Sequence, residues 1–412
     1  MANYMEKPKK KKTASRDIAL DKLDFYNPPA QKKAPKQDKI KGRPKNIFAR
    51  FCEAAFPQKN DSSSEKIRKI VLLAAIVVFA VTIGILLFQL VSINDGSAVT
   101  ESVQSIAGVD TGTVDMDNFE DPTVVTPIPG TTANTTAGSS TAEPETVETE
   151  EGPINVTPVV NTPLNVNFTA LLAENPDTRG WIKITGTYLN DVVVQGKDHE
   201  EYLNKAFDGS ESISGTIFSH KKNKWDGTDQ NIILFGHNMM NGDRFASVRY
   251  YIPNDASREP IAFYKVHPTI MLATPEGGSE TYKIFAGVLA NTQEQYGEVF
   301  KYANKTSFKN QEDFNKFIIN VMDRSWFYTD VDLQYGDQLL TLSTCYWPLG
   351  EEVDTRWVIF ARKVRPGESE YVDTSLATRN YGAKLFDYYY SMIGGQWYGS
   401  KWDTSKLKGY NG

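Results

Sequence analysis

Apolar residues are spaced in three different ways along the 412-residue chain, and each spacing predicts a different kind of structure. From Ile70 to Ile93 they run for 24 residues without a charge, IVLLAAIVVFAVTIGILLFQLVSI. As a helix at 1.5 Å per residue this stretch is about 36 Å long, enough to span a hydrocarbon core of about 30 Å with some tilt. From 94 to 165 the pattern lapses into Thr, Val, Pro, Gly, Ser and Glu, as in TTANTTAGSSTAEPETVETEEG. Such a segment has too little apolar surface to offset its ordering entropy and predicts a flexible tether. At 166 to 365 apolar residues return in short β-rich runs between Gly, Asn and Asp: GWIKI, DVVVQG, GTIF, QNIILFGH, PTIMLATPEG, YKIFAGVLA, DQLLTLSTC and RWVIFARKV. Many short strands without regular helices between them predict a mostly β domain, antiparallel in the main, closed as a barrel or stacked as a sandwich.

Two stretches of this domain read as helices. FTALLAENPD opens it, stopped by Asn175 and Pro176. Around 310 to 324, Asn310 is a suitable N-cap with Asp313 three residues on. Glu312 and Lys316 are four apart, and Phe314, Ile318 and Val321 share a face. Residues 366 to 412 are irregular and aromatic, readable as a packed appendage or as a partner-binding tail. Residues 1 to 69, rich in Lys, Pro and Gln, predict a disordered tail.

Charge orients these parts. Met1 to Lys69 hold 19 Lys and Arg against 8 Asp and Glu, whereas the whole chain is −6. Lys66, Arg68 and Lys69 precede the apolar stretch, and no Lys or Arg follows it until Arg179. The positive-inside rule places the basic tail in the cytoplasm and the β domain outside. A basic tail beside a membrane span is served by anionic lipid of the inner leaflet rather than by nucleic acid.

The same topology separates the only two cysteines, Cys52 and Cys345, so they cannot form an intramolecular disulfide. Cys345 ends the run DQLLTLSTC at the start of a loop, where a strand presents a side chain at a sheet rim. It reads either as a small buried hydrophobe or as a nucleophile. A thiol with pKa near 8.5 is only about 3% ionised at pH 7, so a nucleophile needs a base and a positive neighbour. Among four histidines, His199 lies in a polar, helix-like stretch that predicts a solvated face, and His267 precedes Pro268 at a turn or strand edge. His220 remains a candidate at the end of GTIF. His237 follows IILFG as Cys345 follows its own apolar run, with Gly236 permitting a close approach. Arg356 heads RWVIFARKV eleven residues after Cys345, so the two strand ends can face each other. Its guanidinium stays charged and can donate two hydrogen bonds to a developing oxyanion. Arg362 competes, but six residues along a strand place it about 20 Å away.

TLSTC at 341 to 345, the arginine heading the next strand and the upstream strand ending in GHN together resemble the sortases. The match extends to NIILFGHNMMNGDRF and ENPDTRGWIKI. The helix before the cysteine strand resembles class B of that family. The resemblance implies an eight-stranded sortase-type β-barrel with a few peripheral helices. It also implies a cysteine transpeptidase that needs no cofactor or metal and acts on surface proteins bearing a C-terminal sorting signal. Cys345 would attack the carbonyl of the signal's threonine, His237 would act as general acid and base, and Arg356 would hold the oxyanion. A peptidoglycan amine would resolve the thioacyl intermediate. Asn238, Ser343 and Thr344, beside the histidine and cysteine, are the substrate contacts it suggests. Hydrolysis at the same site, making a cysteine protease, and a tethered binding module without catalysis are the alternatives.

Overall fold

A computed structural model describes residues 55–112, 114, 116 and 158–410, with the side chains of 92–95 excepted. The tail before residue 55 and most of the Thr-rich tether lie outside the described residues.

The apolar stretch is helical, and its helix, Ser63–Ala107, is longer than predicted at both ends. Ser62 Oγ accepts from the Glu65 N–H near its start, and Asp61 pairs with Lys69 Nζ at 2.9 Å. Between residues 70 and 91 many large apolar side chains are 40–68% exposed. The helix is long and apolar enough to cross a membrane.

Among the described residues twelve strands follow in chain order: β1 Thr178–Lys183, β2 Asn190–Val194, β3 Ile217–Ser219, β4 Asn231–Phe235, β5 Thr269–Thr274, β6 Gly278–Asn291, β7 Phe327–Tyr328, β8 Leu333–Gln334, β9 Leu339–Cys345, β10 Thr355–Lys363, β11 Thr378–Arg379 and β12 Leu407–Lys408. Eight close into a barrel in the order β1-β2-β3-β4-β9-β10-β6-β5. The β2–β3 and β4–β9 pairs are parallel and the others antiparallel. The eight barrel strands correspond to the eight β-rich runs of the sequence.

Strand alternation sorts the core. On β10, Trp357, Ile359 and Ala361 face the barrel interior with Leu340 and Leu342 of β9. Val358 and Phe360 face outward onto the helix Gln311–Arg324, where Phe314, Ile318 and Val321 are fully buried. That helix starts as predicted, with Asn310 Oδ1 accepting from the Asp313 N–H at 2.9 Å. A third cluster covers β1 and β2 from outside: Leu171 of the helix Phe168–Glu174 joins Trp181, Val192 and Val194, together with Val103 and Ala107 from the end of the long helix.

Two expectations need correction. Residues 96–107 are helical and packed on the barrel, where composition predicted the start of a flexible tether; the apolar side chains Val99, Val103 and Ile106 supply the burial that a Thr/Pro-rich average hides. The stretch around His199 forms turns instead of a helix. Asp198 Oδ1 accepts from the N–H groups of Glu200 and Glu201, and Glu201 Oε2 accepts from the Lys197 N–H. Local side-chain acceptors compete there with helical hydrogen bonding. After Pro366 the chain is packed: Val372, Phe386, Trp402 and Leu407 are buried, and β12 pairs with β8.

Candidate active site

Register assembles the candidate residues. In the antiparallel β9–β10 ladder Arg356 lies directly opposite Cys345. Directly opposed residues project from the same face. Both share the outward parity of Val358 and Phe360, so the pair stands on the barrel's outer surface rather than in its lumen. β4 runs parallel to β9 with Phe235 opposite Ser343, and the Gly236 N–H continues the ladder to the Ser343 carbonyl at 3.3 Å. His237 and Cys345 thus lie equally far beyond a paired position at the ends of adjacent parallel strands. One cleft of about 370 Å³ is lined by Cys345, His237 and Arg356, with Leu203, Ala303 and Asn304 among its other walls.

The cleft's electrostatics follow from burial. Cys345 is half-buried, and loss of solvent pushes its thiol above the ordinary value; the Arg356 charge opposes this and Asp354 adds to it. Burial pushes His237 down, a hydrogen bond to Leu203 resists, and the charges of Arg244 and Arg356 push it further. The His237 Nε2–H donates to the Leu203 carbonyl at 2.7 Å, because a carbonyl can only accept. Around neutral pH the site therefore rests as thiol and neutral imidazole. Arg356 pairs with Asp354, which also accepts from Thr292 Oγ1 at 2.7 Å and Trp347 Nε1 at 3.1 Å. This brace was not foreseen from sequence; an acidic residue two positions before the arginine was its available signal.

Ser343, Thr344 and Asn238 also surround the site. Ser343 and Thr344 are buried, with the Ser343 hydroxyl 2.7 Å from Tyr302 OH and the Thr344 hydroxyl donating to the Gly236 carbonyl at 2.8 Å. Both line the cleft, but their hydroxyls are engaged by groups of the protein itself. Asn238 Nδ2 donates to the Cys345 carbonyl at 3.2 Å, linking the residue after the histidine to the cysteine.

The other histidines divide differently from expectation. His199, predicted on a solvated face, is half-buried in the cleft with its ring centroid 4.3 Å from that of His220. No local pattern could show this, because the β2–β3 connection must fold back before the rings meet. Burial, with the nearby His199, Lys222 and Lys221, pushes His220 down to about 4, and its Nδ1 accepts from the Lys222 N–H. A neutral ring committed as an acceptor is a poor proton source for the cleft. His267 caps the end of the helix Ala262–Val266 just before β5, at the turn or strand edge expected, and is buried there.

Comparison with known proteins agrees with this architecture. The sortase-domain family profile matches residues 182–364. Sortase B of Staphylococcus aureus is 30% identical over 178 residues, covering 43% of this chain and 67% of that protein. Sortase B of Listeria monocytogenes is 29% identical over 171 residues, covering 42% and 63%. The X-ray structure of Clostridium perfringens sortase B is 34% identical, covers 48% of this chain and 100% of that one, and has a TM-score of 0.42. By the family profile and the Staphylococcus aureus relative, the chain belongs to the sortase family, in class B, whose members are cysteine transpeptidases.

Proposed function

We propose that this protein is a membrane-anchored sortase that cleaves the C-terminal sorting signal of surface proteins and joins the acyl fragment to a peptidoglycan amine. The supporting observation is the convergence of Cys345, Arg356 and His237 on one cleft, through strand register and adjacent strand ends. The apolar helix serves as the anchor, with the basic tail in the cytoplasm and the barrel outside.

Cys345 Sγ, as the thiolate, adds to the carbonyl carbon of the signal's threonine. Because the thiol is pushed up and His237 down, the thiolate–imidazolium pair is a minor form carrying the same number of protons as the resting pair. Arg356 holds the carbonyl oxygen as it gains charge, and a braced, half-buried guanidinium needs little reorganisation to do so. His237 donates its proton to the departing amine as the C–N bond breaks, leaving a thioester on Cys345. The incoming amine attacks that thioester, His237 accepts a proton from it, the C–S bond breaks and the thiolate returns. Asn238 holds the Cys345 backbone, while Ser343 and Thr344 shape the cleft wall beneath the substrate.

Incubating the full chain with a sorting-signal peptide and an amine-bearing peptidoglycan fragment tests the reading. The expected result is a new amide and a Cys345-linked acyl adduct that can be trapped. Free acid with amine present would make the protein a protease, and no adduct or cleavage would reject catalysis.

A further inference from the structure

The helix that carries the apolar stretch runs on to Ala107 and docks beside the loop after His237. Gly96 sits so close to the barrel that a Cβ there would be 3.0 Å from both Ser212 Oγ and Ser214 Oγ. From one side of the helix, spaced three and four apart, Ser97, Thr100 and Gln104 reach the domain. Ser97 Oγ donates to Asp243 at 2.9 Å and accepts from Asn241 Nδ2 at 2.9 Å. Thr100 Oγ1 accepts from Arg244 Nη1 at 2.8 Å, and Gln104 Nε2 donates to the Asn190 carbonyl at 2.8 Å.

Two of the helix's partners, Asp243 and Arg244, lie in the connection from His237 to Phe245. That connection is closed by the Phe245 N–H donating to the His237 carbonyl at 2.9 Å and by a bridge between Asn238 and Arg244. Arg244 is 3% exposed and its φ is +57°, a left-handed backbone uncommon for a residue with a Cβ. Such a conformation persists where surrounding contacts over-determine it. Here Arg244 also donates to Asp191 at 2.6 Å and to the carbonyls of Ser214 and Gly215 at 3.2 and 2.8 Å.

The 214–215 segment leads to the other support of the histidine. Gly215 has φ +55°, and a Cβ on it would lie 2.4 Å from the Leu203 carbonyl oxygen, the acceptor of the His237 ring N–H. The neighbouring Thr216 N–H donates to the Tyr202 carbonyl at 3.0 Å. Through Arg244 the docked helix therefore braces the loop carrying the His237 backbone and the segment packed on the acceptor of its ring.

We propose that Arg244, held by Thr100 and the docked segment 96–104, is a positioning residue for His237, so that the helix leading from the apolar stretch sets the aim of the acid–base group. The proposal rests on the acid–base reading of His237. Docking for stability alone would need only the apolar contacts of Val99, Val103, Ile106 and Ala107 with the outer cluster. The polar contacts lead instead to the two supports of one imidazole.

The test uses the full chain in detergent or lipid nanodiscs. Gly96→Val drives a side chain into Ser212 and Ser214, and the double variant Ser97→Ala/Thr100→Val removes polar contacts without adding bulk. Both are expected to speed amide exchange over 96–107 and to lower kcat about tenfold with KM unchanged, since small misplacements of a catalytic group are costly. Cys345 alkylation at fixed pH should stay at the wild-type rate. Faster exchange with wild-type kcat overturns the proposal, as does a loss in which Cys345 alkylation changes in parallel, the sign of general loosening. His237→Ala separates the two levels of inference. An inactive His237→Ala beside a fully active Gly96→Val rejects the coupling alone, whereas an active His237→Ala rejects the acid–base assignment.

Discussion

The two ends of β10 carry arginines of the same outward parity in different surroundings. Arg362 is 1% exposed, and its guanidinium is met by Asp332, Glu368 and the carbonyls of Asp332 and Lys363. Arg365, itself paired with Asp332 and Asp337, and Lys283, paired with Glu368, extend the network. Arg356 has one carboxylate partner, Asp354, retains 28% side-chain exposure and borders a cleft opposite Cys345. A guanidinium with its donors occupied holds a fold together, whereas one braced on a single side keeps donors for an incoming oxygen. Residue type and strand position are alike at the two ends, so the number of committed donors distinguishes the two surroundings.

The sharpest break of this comparison is at the cleft end. Cys345→Ala is expected to reduce acyl transfer to background with an unchanged melting curve, read by mass spectrometry of the peptide products. Arg356→Gln should lower kcat about 10²- to 10³-fold, the usual loss for one oxyanion donor, with folding intact. Arg356→Lys should recover only part, since an ammonium keeps the charge but not the planar fork.

At the other end the expected outcomes reverse. Arg362→Met should cost on the order of 3 kcal/mol in denaturant unfolding, discounted for the partial exposure of Asp332 and Glu368, while activity per folded molecule is retained. The network should also make stability depend on acid. Burial alone would raise Glu368, but hydrogen bonds from Arg362 and Lys283 outweigh it and pull the carboxyl down to about 2. A depressed carboxyl contributes stability that is complete above its unfolded pKa of about 4.3 and fades as pH falls toward 2. Urea midpoints across that window should fall less steeply in Glu368→Gln.

The smallest effect returns to the cleft. Arg356 pulls the Cys345 pKa down and Asp354 pushes it up, so the pH midpoint of Cys345 alkylation should rise in Arg356→Gln and fall in Asp354→Asn. Shifts in the same direction would disprove opposed charges acting on the thiol.

Much of the scaffold was legible because its signals are local. Strand runs with β-branched and aromatic residues became the eight barrel strands, and the Asn310 cap with the Phe314, Ile318 and Val321 stripe became the helix behind β9. The juxtaposition of Cys345 with Arg356 was also within reach, since two strands joined by one loop pair antiparallel when the loop is short. The aromatic C-terminal segment resisted reading: its packing depends on surfaces of β7, β8 and the 311–324 helix that do not exist until the barrel has closed.

The residues alone determined the long apolar helix and the set of strands, and marked Cys345, His220, His237 and Arg356 as candidates at strand ends, because spacing, charge asymmetry and strand-end placement act within a few residues of themselves. Only the tertiary structure decided which face of the barrel bears the cleft, that His199 turns inward and that residues 96–107 dock by the His237 loop. Those outcomes depend on contacts between segments up to 146 positions apart, as between Ser97 and Asp243. Loop closure and strand register create such contacts, and a local pattern of apolar and polar residues carries no record of them.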